Sequence, residues 1–100
     1  MIVITGASDG LGKALAKLYK EAGIQVVNIS RRECVYADVN VLYDLSDEGG
    51  VLASAETTQK LEGVIDTFVN CAGVLSLEHL GELTWSEIDR VMRINVHAPI

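Results

Sequence analysis

Ile2-Val3-Ile4-Thr5-Gly6-Ala7-Ser8-Asp9-Gly10-Leu11-Gly12 is the stretch on which the fold turns. A short β-branched run, read as a buried strand, passes through glycines into a helical pattern. Leu11, Ala14, Leu15, Leu18, Tyr19 and Ala22 recur at helical spacing, with Lys13, Lys17, Lys20 and Glu21 on the other face. Gly23 stands where a C-terminal cap belongs, and Gln25 to Ile29 is apolar again. Strand, helix and strand within about 30 residues form the minimal crossover of a parallel sheet. In such a sheet the turn after the first strand exposes helix amides where a pyrophosphate can sit. Gly6 permits the tight exit from the strand, and Gly10 removes a side chain where phosphates approach the backbone. Gly12 lets the helix pack closely. A Walker-type loop is excluded: Gly12-Lys13 imitates its end, but Ala7 replaces the loop glycine and Ala14 the metal-binding hydroxyl.

Further along, Val39 to Tyr43 reads as a third strand closed by Asp44. Ser46-Asp47-Glu48 starts a helix that runs to about Lys60 on a weak stripe of Val51, Leu52 and Ala55, with Gly49-Gly50 lowering its propensity. Val64 to Asn70 is another β-rich run, stopped by Cys71-Ala72-Gly73. Thr84-Trp85-Ser86-Glu87 is a capping box. It opens a helix expected to turn Trp85, Ile88, Met92 and Asn95 inward, with Val91 and Val96 beside them. Pro99 suits no helix interior. The alternation implies an α/β fold: a Rossmann-like, doubly wound parallel sheet in three α/β/α layers, one domain over residues 1–100.

Composition narrows the function. The chain has 100 residues, 49% apolar and 22% charged, as one globular unit should. Its net charge of −6 sets nucleic-acid binding aside. No apolar run approaches the ~20 residues that span a bilayer, so no membrane partner is expected. Met1 leads directly into the first strand with no secretory leader, and two cysteines are too few for a disulfide framework. A reduced, cytoplasmic setting is the expectation. Cys71 reads as a small packing residue and Cys34 as an exposed loop thiol, while Tyr19 and Trp85 read as core. Tyr36 and Tyr43 have no recognisable partner, and His79 and His97 share no ligand spacing, so no metal is expected.

Thr-Gly-Ala-Ser-x-Gly-x-Gly at Thr5 to Gly12 resembles the cofactor motif of the classical short-chain dehydrogenases/reductases. Asp44-Leu45 looks like that family's acidic residue after the third strand, and Asn70-Cys71-Ala72-Gly73 is similar to its Asn-Asn-Ala-Gly. Asn95 matches the helix asparagine of its catalytic tetrad. The resemblance extends over essentially the whole chain. It implies that Gly6, Ser8, Asp9, Gly10, Leu11 and Gly12 form the pyrophosphate side of a nicotinamide dinucleotide site. Asp44 and Leu45 would meet the adenine, while Asn70, Ala72 and Gly73 would flank the adenosine ribose and the route to the nicotinamide. Asn95 would hold a water of the proton relay.

The second strand ends in Ser30-Arg31-Arg32, where a carboxylate would favour the ribose hydroxyl of NAD. A guanidinium instead binds a 2′-phosphate bidentately. Ser30 and Arg31, with Arg32 assisting, therefore favour NADP over NAD; Asp9, just before the second glycine, argues the other way.

The resembled chemistry transfers hydride between nicotinamide and a carbonyl or secondary alcohol. It uses a tyrosine, a lysine four residues later and a serine, all beyond the helix asparagine. No Tyr-x-x-x-Lys occurs here: four residues past Tyr19, Tyr36 and Tyr43 stand Gly23, Asn40 and Asp47. The chain is thus expected to be the cofactor-binding half of a longer, homo-oligomeric oxidoreductase of small carbonyl or alcohol substrates, truncated before its C-terminal half. Val64–Asn70 is then expected as an open apolar edge. Two other readings stay open: a dinucleotide-binding or interaction module without catalysis, and an epimerase or dehydratase of the extended family, against which the glycine spacing argues.

Overall fold

A computed structural model describes residues 1–73 and 84–99. Four parallel strands make its sheet: β1 (Ile2–Thr5), β2 (Val26–Ser30), β3 (Val39–Leu42) and β4 (Thr67–Asn70), in the order β3-β2-β1-β4. Register pairs Ile4 with Asn28 on one side and Val69 on the other. Every residue of β1 and β2 is buried, as expected of strands covered on both faces. One face joins Ile2, Ile4 and Val26 to Ala16 of α1 (Gly10–Glu21), and the other joins Val3, Val27, Ile29 and Val41. α2 (Glu48–Gln59) lies against the second face, where Tyr43 Oη is 3.3 Å from Thr57 Oγ1. These are the helix-covered layers of a doubly wound sheet.

α1 begins at Asp9, whose carboxylate accepts the Gly10 N–H at 2.8 Å. It ends in a Schellman motif: Gly23 takes φ +78°, the Gly23 N–H reaches the Lys20 carbonyl, and the Ile24 N–H reaches that of Tyr19. The helix is rotated relative to the expected stripe. Leu11 and Leu18 are exposed, while Gly12 and Ala16 are buried, with Leu15 and Tyr19 packed on the core. Gly12 causes the rotation. A Cβ there would sit 2.2 Å from the Gly6 carbonyl oxygen, so the helix meets the preceding turn backbone to backbone. Gly50 plays a similar part at the start of α2, where a Cβ would lie 2.0 Å from the Asp44 carbonyl oxygen. Its helix-weakening glycine is a packing requirement.

The segment between β2 and β3 folds back over the sheet. Asp38 accepts the Val26 N–H at 2.8 Å and pairs with Lys20. Cys34, expected at the surface, is buried in the first-face core because its N–H is held by Asn40 Oδ1 at 2.8 Å. Tyr36 also has a partner, the Lys17 ammonium 6.0 Å from its ring centre.

The other end of the sheet is barer. β4 pairs with β1 alone among the described strands, and Phe68 on it is exposed. α3 (Trp85–Met92) is capped by Thr84 Oγ1, which accepts the Glu87 N–H at 3.1 Å. It continues into a π-helical turn, Arg93–His97, closed by Ala98 N–H on the Arg93 carbonyl at 2.8 Å. No residue of α3 is buried, and the expected inward face is corrected: Trp85 is 86% exposed, and Ile88 and Met92 are exposed too. Regular α-spacing was the basis of that expectation. The π turn breaks it only beyond Met92, placing Ile94 rather than Asn95 toward the sheet end, with Asn95 exposed; Trp85, Ile88 and Met92 precede the turn and are exposed because no described element covers that face. His79 lies outside the described residues. No described helix is long and apolar enough to cross a membrane.

Candidate functional site

All four strands deliver their following loops to the same end of the sheet. Chain order runs outward from β1 in one direction through β2 and β3, then returns to β4 on the other side. A crevice opens where the order reverses, the usual ligand position in such sheets. Here it is a cleft of about 450 Å³.

Its floor is the glycine turn, with Gly6, Ser8, Asp9, Gly10, Leu11 and Gly12 all lining it. Gly6 has φ +72°, and a Cβ on it would lie 2.7 Å from the Ala72 Cα, so both conformation and space exclude a side chain. The Cys71–Gly73 segment is pinned onto this turn: the Cys71 N–H donates to the Thr5 carbonyl at 3.1 Å and the Ala72 N–H to Thr5 Oγ1 at 3.2 Å. Gly10, at φ +56°, differs in kind, since a Cβ there would meet nothing within 4 Å. It keeps the approach to the N-terminus of α1 open, where a helix presents unsatisfied amides.

One wall carries Ser30, Arg31 and Arg32, and the next carries Tyr43, Asp44 and Leu45. Both arginines are exposed, whereas Ser30 is buried with its hydroxyl turned onto its own loop, against the Arg32 backbone. Asp44 Oδ1 accepts from the Ser46 hydroxyl at 2.7 Å and the Ser46 N–H at 2.9 Å. Those two bonds hold its carboxyl below the usual carboxylate range, helped by the charges of Arg31 and Arg90. The third wall is Cys71, Ala72, Gly73 and Ile94.

The expected site residues therefore gather in one place, apart from two. Asn70 lies on exposed β4 and lines a neighbouring apolar cavity of about 260 Å³ rather than the cleft. Asn95 stands beside the cleft mouth on the π turn, its Oδ1 3.4 Å from where a Cβ of Gly73 would project. Tyr43, Cys71 and Ile94 were not anticipated as lining residues. Nor was Asn28, fully buried below the cleft. An amide inside the run Val26-Val27-Asn28-Ile29 was its one visible signal.

The donor set suits a phosphate-bearing ligand of extended shape: backbone amides at a helix start, two guanidinium groups, and a cleft of ligand size. The fold and this strand-end crevice define a dinucleotide-type α/β domain. The short chain dehydrogenase family model matches residues 1–100, and the chain belongs to that family. An uncharacterized oxidoreductase of Thermotoga maritima is 33% identical over 97% of this chain and 43% of its own length. L-xylulose reductase of Caenorhabditis elegans is 33% identical over 99% of this chain and 43% of its own. The chain thus spans less than half the length of these curated relatives. Among solved structures, ligand-free aldohexose dehydrogenase of Thermoplasma acidophilum superposes with a TM-score of 0.83 at 29% identity, covering 98% of this chain and 39% of that one. The 3-ketoacyl-(acyl-carrier-protein) reductase of Brucella melitensis, complexed with NADH, gives 0.81 at 27% identity, covering 98% and 44%.

Proposed function

We propose that this chain forms the cofactor-binding part of an NADP(H)-preferring oxidoreductase that reduces a small carbonyl compound or oxidises the matching secondary alcohol. The observation that carries the proposal is the union, in one cleft, of the glycine turn at the start of α1 with the arginine pair after β2. The membership in the short chain dehydrogenase family and the NADH carried by the Brucella relative support the nicotinamide class. When bound, the dinucleotide supplies or takes up hydride.

The chain's own residues bind and orient it. Gly6, Ser8, Asp9, Gly10, Leu11 and Gly12 take the pyrophosphate and adjacent ribose. Arg31, with Arg32, takes the adenosine 2′-phosphate, and Ser30 shapes the loop that carries them. Asp44 and Leu45 hold the adenine, and Ala72, Gly73 and Asn70 flank the path toward the nicotinamide. Asn95, whose Oδ1 lies beside Gly73, is the candidate to order a water at that end. The same proposal includes a homo-oligomer, for which the exposed Trp85, Ile88 and Met92 of α3 supply an apolar face. A cytoplasmic setting accords with two cysteines that are both unbridged.

Titration of the protein with NADPH and NADH tests the cofactor assignment. Tighter NADPH is expected; tighter NADH would remove the role given to Arg31. Loss of nicotinamide absorbance across a panel of carbonyl compounds, with the full-length protein, separates an oxidoreductase from a binding module.

A further inference from the structure

We propose that Asn28 is a positioning residue that sets the spacing between the phosphate-binding turn and the arginine pair, and thereby the preference for an adenosine 2′-phosphate. The inference rests on the cofactor reading above and deepens it. Asn28 sits at the centre of the sheet, opposite Ile4, with no exposed surface. Its neighbours on that face include Val26 and Ile4, so an apolar side chain would pack there without a desolvation cost. A buried amide is tolerated at such a place when its hydrogen bonds are met, and here every one of them ends on a loop or on the residue that braces it.

Asn28 Oδ1 accepts the Ala7 N–H at 3.1 Å, inside the glycine turn. On the other side its Nδ2 donates toward Ser30 Oγ at 3.1 Å, the Arg32 carbonyl at 3.0 Å and Asn40 Oδ1 at 2.9 Å. Two amide protons serve these three acceptors, so the bonds are shared as a cluster. Asn40 Oδ1 also accepts the Cys34 N–H at 2.8 Å, which holds the far end of the arginine loop. Ser30 adds its hydroxyl to the Arg32 carbonyl. One side chain is thus bonded both to the turn that floors the cleft and to the loop that forms its arginine wall. Arg31 and Arg32 extend from a loop tied at the Ser30 hydroxyl, the Arg32 carbonyl and the Cys34 N–H, and the Asn28 amide stands between that loop and the Ala7 N–H.

A charge-assisted fork on a phosphate is demanding in direction, so a loosened loop loses the 2′-phosphate before it loses the rest of the dinucleotide. The test is made on the full protein with NADPH and NADH as probes. Asn28→Leu removes every bond while keeping the branched shape and the number of heavy atoms, at somewhat greater bulk. It should lower the ratio of NADPH to NADH affinity by about tenfold or more, the ratio cancelling whatever both cofactors lose through Ala7. Asn28→Thr, suited to a strand and unable to bridge both loops, should show the same direction and serves if the leucine variant does not fold. In an Arg31→Ala/Arg32→Ala background the effect of either change on the ratio should vanish. Equal loss of both cofactors, or an undiminished change of ratio without the arginines, would overturn the positioning role. A parent protein that binds neither dinucleotide would instead sink the cofactor reading itself.

Discussion

The two flanks of β1 are built on opposite terms. Toward β2 the sheet is sealed: Val3, Ile4, Val26 and Val27 have no exposed surface, and the one amide among them is fully bonded. Toward β4 the apolar groups lie open, with Phe68 52% and Trp85 86% exposed and nothing in α3 buried. The cleft runs along the seam, its floor and arginine wall on the sealed side and its Cys71–Gly73 and Ile94 wall on the open one. On the proposed cofactor reading, grip on the adenosine end rests on the sealed side, while the nicotinamide end borders the open apolar groups of β4 and α3.

The largest expected effect tests that contrast directly. Ile4→Ala deletes a fully buried side chain and should cost about 3–4 kcal/mol of unfolding free energy. Trp85→Ala, removing a far larger side chain, should stay within about 0.5 kcal/mol in the monomer. Urea denaturation of both variants compares them. A loss at Trp85 as large as that at Ile4 would show that α3 is covered in solution, and its dependence on protein concentration would identify a second copy as the cover.

Next in size is Gly12→Ala. The added methyl overlaps the Gly6 carbonyl oxygen, a backbone atom that moves only if the turn does. A loss of about 2 kcal/mol is expected, with dinucleotide affinity falling along with it. For stability Gly10→Ala is the matched control, meeting no atom and costing only the left-handed backbone, about 1 kcal/mol. Thermal melts of the pair would separate crowding from conformation.

Arg31→Ala comes third. It should weaken NADPH by about tenfold, about 1.4 kcal/mol, and leave NADH nearly unchanged, read by fluorescence titration. An equal loss for both would move the guanidinium from the ribose end to the pyrophosphate.

The sealed side was the more legible one in the sequence, for physical reasons. The passage from Ile2 to Gly12 is governed by local chemistry: a β-branched run, glycines that permit the turn, an aspartate cap. The phase of α1 was not legible. Leu11 and Leu18 look like an inward stripe, and only contact between Gly12 and a turn already folded turns them out. Burial of Cys34 likewise depends on Asn40 and Asp38, residues reached through folding and not through spacing. At the open end regular helical spacing misled, because a π turn shifts the register before Asn95. Asn28 escaped notice since one amide in an apolar strand carries no periodicity of its own.

The ion pairs made by helix side chains draw the same line between the flanks, with the smallest expected effect. Asp38 bridges elements, accepting from Lys20 at the end of α1 and from the Val26 N–H at the start of β2. Glu87–Arg90 and Asp89–Arg93, by contrast, are local to α3 and its continuation. The Lys20 hydrogen bond, then that of Val26, holds the Asp38 carboxyl below the usual carboxylate range. The folded state therefore prefers the ionised form more than the unfolded state does. Its stabilisation is complete above the ordinary carboxylate range and is lost as pH falls through the lower folded value. Partial exposure screens the pair, so Asp38→Asn should cost under about 1 kcal/mol at neutral pH. Urea midpoints of parent and variant should converge in acid, where Asp38 is protonated in both states. Asp89→Asn should change the midpoint less at every pH, since its pair ties the helix to itself and not to the sheet; a larger effect there would mean that α3 contributes to the cooperative unit after all.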